Sequence, residues 1–281
     1  GAQVIYSREG LKVHCKLCLI ERREAGRTRH YAWLGTGNFN EKTAHIYGDI
    51  GLFTASEPIA RDVLAVFAHL RDPRKPIGTK HLLTAPAGLR GGLERLIDRE
   101  TANALSGKSA SILLKLNSLE DRPLIRKLYD ASRAGVRVRL IVRGICCLVP
   151  GIVGMSENIE VISIVDRFLE HARAYVFHNG GKPLVYLASA DLMERNMDRR
   201  VETAFPVFDQ RLRNEVLDYL ELQWTDKAKA RTIDAAQRNP YRDPQWKSRT
   251  ALRSQMALYE RLAAQKAGSN RPAKKAARAR A

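Results

Sequence analysis

An α/β fold is what this sequence predicts, on three observations. Short apolar segments carry a two-residue period, amphipathic helical segments alternate with them through the middle of the chain, and turns rich in Gly, Asn and Pro separate the two. With 281 residues and 44% hydrophobic content, the chain can bury a sizeable core and is long enough for two ordinary domains.

The first element reads as a strand. Leu11, Val13, Cys15, Leu17 and Leu19 alternate with Lys12, His14, Lys16, Cys18 and Ile20, which places His14 and Lys16 on one face. The C-x-x-C spacing of Cys15 and Cys18 raises a metal or redox site, but three positions apart on a strand they point to opposite faces. Small buried hydrophobes are the expected role. Four cysteines, two of them adjacent at Cys146 and Cys147, make no disulfide framework, so all are expected to be reduced.

A second strand over residues 29–34 runs into Gly35-Thr36-Gly37-Asn38-Phe39-Asn40, and residues 41–44 open a short helix with Asn40 as N-cap. Free backbone N–H groups at such a turn favour an anion. A helix over 59–70 ends at Asp72-Pro73-Arg74-Lys75-Pro76, a connector in the region of a domain boundary. Beyond it come a helix (89–105), a strand (110–116), a helix (123–134) and a strand (136–142) that ends at Arg143-Gly144. Residues 211–223 and 244–265 read as closing helices. The expected division is 1–80, 81–265, and a basic disordered tail over 266–281.

The chain repeats one constellation. Ala172, Ala174 and Val176 alternate with His171, Arg173 and Tyr175, so a histidine and a cation again share a strand face; a turn at Asn179-Gly180-Gly181 follows, then a strand leading into Ala188-Ser189-Ala190-Asp191. His14 precedes Thr36 by 22 positions and Asn38 by 24; His171 precedes Ser189 by 18 and Asp191 by 20. One histidine near a lysine is usually structural. Two copies suggest paired halves facing one cleft, with a nucleophilic imidazole on one side, an acid/base imidazole on the other, and cations to neutralise phosphoryl oxygens. His30, His45, His69, His81 and His178 lack a repeated partner and are expected to be structural or superficial.

The net charge of +18 is unevenly spread: from Lys227 onward there are 15 Lys and Arg against 3 Asp and Glu, which leaves +6 for residues 1–226. Such an extension is either solubilising or a grip for a polyanion. No apolar run reaches membrane-span length and no charged-then-apolar leader opens the chain, so a cytoplasmic protein without a membrane span is expected. An aromatic-rich sheet signature and a supported G-x-x-G clamp are both missing, so no specific nucleic-acid partner is expected.

The segments GLKVHCKLCLI, YAWLGTGNFNEKTAHIYGDIGLFTA, LIVRGICCLVPG, ISIVDRFLEHARAYVF and YLASADLMERNMDRRVE resemble the C-terminal half of the bacterial polyphosphate kinases, ATP-polyphosphate phosphotransferases that form a phosphohistidine. The resemblance runs from about residue 4 to residue 260. It implies two phospholipase D-like domains with mixed sheets flanked by helices, the first truncated at its N-terminus. It makes His14 of the H-C-K motif the nucleophile and His171 of E-H-A-R the partner histidine that lines the nucleotide phosphates and acts as general acid/base. Tyr47 and Arg143 match positions that contact ATP in the family. Chemical reasoning adds Lys16, Arg173, Arg199 and Arg200 as polyphosphate ligands and Asn38 as part of a phosphate cradle. The resemblance also implies Mg2+ entering with ATP, ATP/ADP and inorganic polyphosphate as partners, and a homo-oligomer in the full-length family.

Two departures bear on these expectations. The phospholipase D pattern places an aspartate seven positions after its histidine; this chain has Glu21 and His178 there, so neither half carries the aspartate, which argues against phosphodiester hydrolysis. Family members are more than twice this length, so residues 1–80 are expected to leave an unpaired strand edge. A catalytically silent polyanion-binding fragment and a phospholipase D-like phosphodiesterase stand as the alternatives.

Overall fold

The computed structural model describes residues 1–7 and 9–269. Its strands and helices in chain order are β1 (Lys12–Val13), β2 (Lys16–Glu24), β3 (Arg27–Gly35), α1 (Glu41–Ala44), β4 (Tyr47–Gly48), β5 (Gly51–Thr54), α2 (Glu57–Arg71), β6 (Leu83–Ala85) and α3 (Leu89–Leu105). Next come β7 (Ser111–Leu116), α4 (Arg122–Arg133), β8 (Arg137–Val142), β9 (Ile159–Ile164), β10 (Leu169–Glu170), β11 (Arg173–Phe177) and β12 (Leu184–Ala188). The chain continues with α5 (Glu194–Asp198), β13 (Arg200–Pro206), α6 (Gln210–Trp224), β14 (Ala230–Ile233) and α7 (Ser254–Ser269). None of these helices is long and apolar enough to cross a membrane.

The fold is mixed α/β, as the alternation requires. A nine-stranded sheet has the order β1-β13-β12-β11-β7-β8-β9-β14, with β6 also paired to β13; β7, β8 and β9 run parallel while β11, β12 and β13 are antiparallel neighbours. Both faces of its centre are covered, which is why β7 reads as an apolar run interrupted only by Lys115 after its opening Ser111, and not as an alternating one. On one face Leu114, Leu116, Val138, Leu140, Tyr175 and Phe177 pack with Leu89, Leu93 and Ile97 of α3 and with Leu124 and Leu128 of α4. Helix α4 starts where Asp121 accepts a hydrogen bond from the Leu124 N–H at 3.2 Å, just ahead of Pro123.

The other face is covered by the first part of the chain. Ala32 and Leu34 of β3 and Ile59 and Val63 of α2 share a core with Leu113, Ala174, Val176, Leu187 and Phe205 of the large sheet and with Val216 and Leu220 of α6. Strands β2, β3 and β5 form a three-stranded sheet of their own, in which β2 and β5 are the edges. The first 80 residues therefore bury their apolar face against the large sheet.

Three elements differ from expectation. The single strand over residues 11–20 is broken at His14-Cys15, because the chain crosses from the large sheet to the small one: β1 pairs with β13, β2 with β3, and the N–H groups of His14 and Cys15 both donate to the Val201 carbonyl at 2.9 Å. The closing helix over 244–265 begins only at Ser254; before it, Tyr241 stacks on Trp246 at 3.7 Å in irregular chain after Pro240 and around Pro244. The tail over 266–281 starts inside α7, which runs to Ser269, and the rest of it lies outside the described residues.

Candidate active site

His14 is held at the crossing between the two sheets. Its Nδ1 lies 3.0 Å from Glu202 Oε2 and 2.9 Å from Oε1. Glu202 sits on β13, fully buried, and accepts hydrogen bonds from Ser189 Oγ and, at 2.7 Å, from Asn196 Nδ2. A carboxylate fixed on Nδ1 leaves Nε2 as the free, nucleophilic nitrogen of the ring.

His171 is held in the same manner from the other direction. Its Nδ1 lies 2.8 Å from Asp49 Oδ1, and that oxygen accepts the Thr36 hydroxyl at 2.6 Å. Gly37 permits this approach, since a Cβ there would sit 2.1 Å from Asp49 Oδ2. Burial pushes the His171 imidazole below its usual range, the Asp49 hydrogen bond pulls it back up, and the Arg173 charge pushes it down; the outcome is a lowered pKa and a neutral ring near pH 7. Burial also raises Asp49, but the hydrogen bonds from His171 and Thr36 outweigh it and hold the carboxyl below the usual carboxylate range.

The repeat found in the sequence is thus cross-wired. Thr36, from the first copy, supports the acid that orients the histidine of the second; Ser189, from the second, supports the acid that orients the histidine of the first. Lys16 lines a pocket with His14, and its ammonium group is close enough to both pairs to feel the charges of Glu202 and Asp49 as well as that of Arg173. Its Nζ is buried and has no hydrogen-bond partner. Burial, foremost, brings its pKa down to about 8, with Glu202 pulling upward. An ammonium group left without a partner beside two oriented imidazoles is a ready anion ligand.

The other expected residues divide. Tyr47 packs its ring on that of His171, with centroids 4.8 Å apart. Arg143 donates from Nε to Asn117 Oδ1 and, at 2.9 Å, to the Glu170 carbonyl, which aims its guanidinium along the end of β8. Asn38 is exposed and shares a pocket of about 350 Å3 with Lys12, His14, Lys16 and Phe39. Arg200 reaches within 3.9 Å of Glu202, whereas Arg199 is exposed at the end of α5 and touches neither histidine. Arg173, expected as a polyphosphate ligand, is buried, ion-paired to Asp191 at 3.0 Å, and donates to the carbonyls of His171 at 2.9 Å and Thr36 at 3.4 Å. Its guanidinium is spent on holding the two halves together, with Nη1 also 3.1 Å from His171 Nε2.

Sequence reasoning passed over Glu202 and Asp49 because neither shares a period or a motif offset with its histidine; Glu202 is 188 positions from His14 and Asp49 is 122 from His171. It also missed Lys115, wholly buried and 2.9 Å from Glu170, whose carboxylate further accepts from Tyr219, Gln223 and Gln255. A lysine inside the run SILLKL was the available signal. Three of the five set-aside histidines are satisfied locally: His30 contacts Glu57 and Glu21 at 3.3 Å, His69 Nδ1 the Lys75 carbonyl at 2.6 Å, and His178 accepts from the Gly181 N–H at 3.2 Å; His45 is exposed and His81 packs edge-on to the Phe208 ring. The cysteines are all free, and burial pushes the Cys15 thiol up to about 12, which keeps it protonated and inert. Among the described residues no group of three or more His, Cys, Asp and Glu could hold a metal ion.

Comparison with known proteins gives a consistent picture. The family "Polyphosphate kinase C-terminal domain 1" matches residues 1–76, and "Polyphosphate kinase C-terminal domain 2" matches residues 82–255. The chain is 50% identical over 262 residues to a polyphosphate kinase of Vibrio vulnificus, covering 93% of this chain and 37% of that protein. It is 48% identical over 260 residues to the polyphosphate kinase of Escherichia coli K12, covering 92% and 38%. The crystal structure of polyphosphate kinase from Porphyromonas gingivalis superposes with a TM-score of 0.87 at 44% identity, over 94% of this chain and 41% of that one. The chain therefore spans a little over a third of the length of the curated relatives it matches.

Proposed function

The chain belongs to the polyphosphate kinase family, and on that premise we propose that it carries the histidine chemistry of a reversible transfer of the ATP γ-phosphate to inorganic polyphosphate. The observation that supports this reading most is the pair of imidazoles, each with Nδ1 on a carboxylate, flanking the unpartnered Lys16. His14 Nε2 attacks the γ-phosphorus, the bond to the bridging oxygen breaks, and ADP leaves. The terminal oxygen of a polyphosphate chain then attacks the phosphorus, breaking the P–N bond and freeing His14. Run in reverse, the site makes ATP from ADP and polyphosphate.

Lys16, Arg143 and Arg200 neutralise the equatorial oxygens, Asn38 adds a donor beside His14, and Tyr47 with neutral His171 lines the nucleotide phosphates. Arg173 positions His171. Mg2+ arrives bound to the ATP phosphates, which supply oxygen ligands of the kind it prefers. The cytoplasm, where ATP and ADP are abundant, is the compartment this reading calls for.

The test supplies polyphosphate and ADP to the purified chain and to its His14→Ala and His171→Ala variants, and measures ATP. Formation by the parent chain and loss in both variants supports the reading. Hydrolysis of a simple phosphodiester without ATP, with no ATP formed from polyphosphate, would replace it by a phosphodiesterase.

A further inference from the structure

The sheet edge beyond the site carries cations held in place by aromatic rings. Arg231 of β14 lies 3.9 Å over the Tyr241 ring, Tyr241 stacks on Trp246, and Lys247 lies 5.1 Å from the Trp246 ring. On the opposite face of the sheet, Arg242 and Arg139 lie 4.8 Å and 5.1 Å from the Trp224 ring and are paired with Glu160 and Glu221, so they stand apart from this patch. A ring face that holds a cation fixes a long side chain which would otherwise sweep freely through solvent.

This segment is also short of acids. Between Asp226 and Arg249 the sequence has seven Lys and Arg against three Asp. Asp226 is buried and spends its carboxylate on the N–H groups of Lys229, Ala230 and Ser254; Asp234 pairs with Arg238, and Asp243 lies 4.0 Å from Lys227. Among the described residues, Lys229, Arg231, Lys247 and Arg249 have no carboxylate within 4.0 Å.

The patch begins at the site's end of the sheet. Ala230 pairs with Ile164 on β9, and Ile162 of β9 pairs with Ile141 of β8, two residues before Arg143. Two strand spacings, about 10 Å, separate the end of β8 from the start of β14. We propose that this patch, Lys229, Arg231 and Lys247, is a polyphosphate-binding track outside the reaction centre that holds the part of a long chain not engaged at the histidines. The inference rests on the phosphotransferase reading above. Polyphosphate is favoured over single-stranded nucleic acid because the rings are already covered by one another and by cations, so they offer charge to a phosphate chain and no open face to a stacking base.

The experiment compares the parent chain with Arg231→Gln/Lys247→Gln, measuring the affinity of long-chain polyphosphate and of tripolyphosphate over a salt series, together with labelling by γ-32P-ATP. Removing two contacts of a flexible polyanion should weaken the long chain and reduce the slope of log K against log salt by about 1.4. Tripolyphosphate affinity and labelling should stay unchanged, and Arg231→Lys/Lys247→Arg, which keeps the charges, should retain long-chain binding. Long-chain affinity unchanged in the Gln variant overturns the track, whether or not labelling occurs. Tighter binding of poly(dT) than of polyphosphate at equal phosphate concentration, lost in the Gln variant, overturns it in favour of nucleic acid. Selective loss of the long chain without any labelling of the parent supports the track and removes the transfer reading instead.

Discussion

His14 Nδ1 and Glu202 Oε2 lie 3.0 Å apart, although 188 positions separate them in the chain. The contact joins the break between β1 and β2 to the second strand of the edge pairing that β1 makes, so the orientation of the nucleophile depends on β1 pairing with β13. Glu202→Gln keeps the shape and removes the charge that stabilises a forming imidazolium or N-phosphoryl ring. We predict that it lowers the rate of His14 phosphorylation by about 10²-fold or more while the thermal midpoint stays near that of the parent. A rate within twofold of the parent would remove Glu202 from the mechanism.

Lys16 is a cost to the free protein and an asset to the liganded one. Its folded pKa of about 8 lies below the unfolded value of 10.5, so between these the unfolded chain binds the proton that the native protein lacks. Stability should therefore rise from pH 8 to pH 10.5 in the parent relative to Lys16→Met, in urea unfolding across that range. Polyphosphate affinity should move the opposite way, falling above pH 8 in the parent and staying flat and weak in Lys16→Met. Parallel stability profiles for the two proteins would contradict this assignment.

His171 titrates below its ordinary 6.5, chiefly through burial, so its native pKa lies under its unfolded one and its contribution to stability is lost as pH falls from 6.5 through the native value. Asp49 is the partner that limits the shift. In NMR titration of the ring resonances the midpoint should lie below 6.5, and it should fall further in Asp49→Asn. A midpoint at or above 6.5 would contradict the neutral imidazole.

The pair Lys115 and Glu170 sits directly behind His171, and Glu170 passes its carbonyl to Arg143. Lys115→Met leaves a buried carboxylate without its cation and should cost about 3–5 kcal/mol in urea unfolding. The double variant Lys115→Met/Glu170→Leu should cost less than the single one. Equal or greater loss in the double variant would show that the amide and hydroxyl partners of Glu170 matter more than its charge.

Local periodicity made the helices α3 and α4 and the strands β7, β8 and β12 readable to within a residue or two, since each is a compact segment with its own start and stop signals. The break at His14-Cys15 was not readable, because it arises from a change of sheet and not from any local breaker residue. The same applies to the site. His14, Lys16 and His171 stood out by repetition, Asn38 by its place in the glycine turn and Tyr47 only through the family resemblance, whereas Glu202 and Asp49 become partners only when the two halves are packed together. Arg173 shows the converse: its spacing copied that of Lys16, but Asp191 within bonding reach turns one into a buried ion pair and leaves the other free.

The most direct measurement is to incubate the purified chain with γ-32P-ATP and Mg2+, test the bound label for acid lability and base stability, and map it by peptide. Acid-labile label is expected on His14 alone and should be absent in His14→Ala. A folded parent chain that takes up no such label, or carries it on another residue, would contradict it.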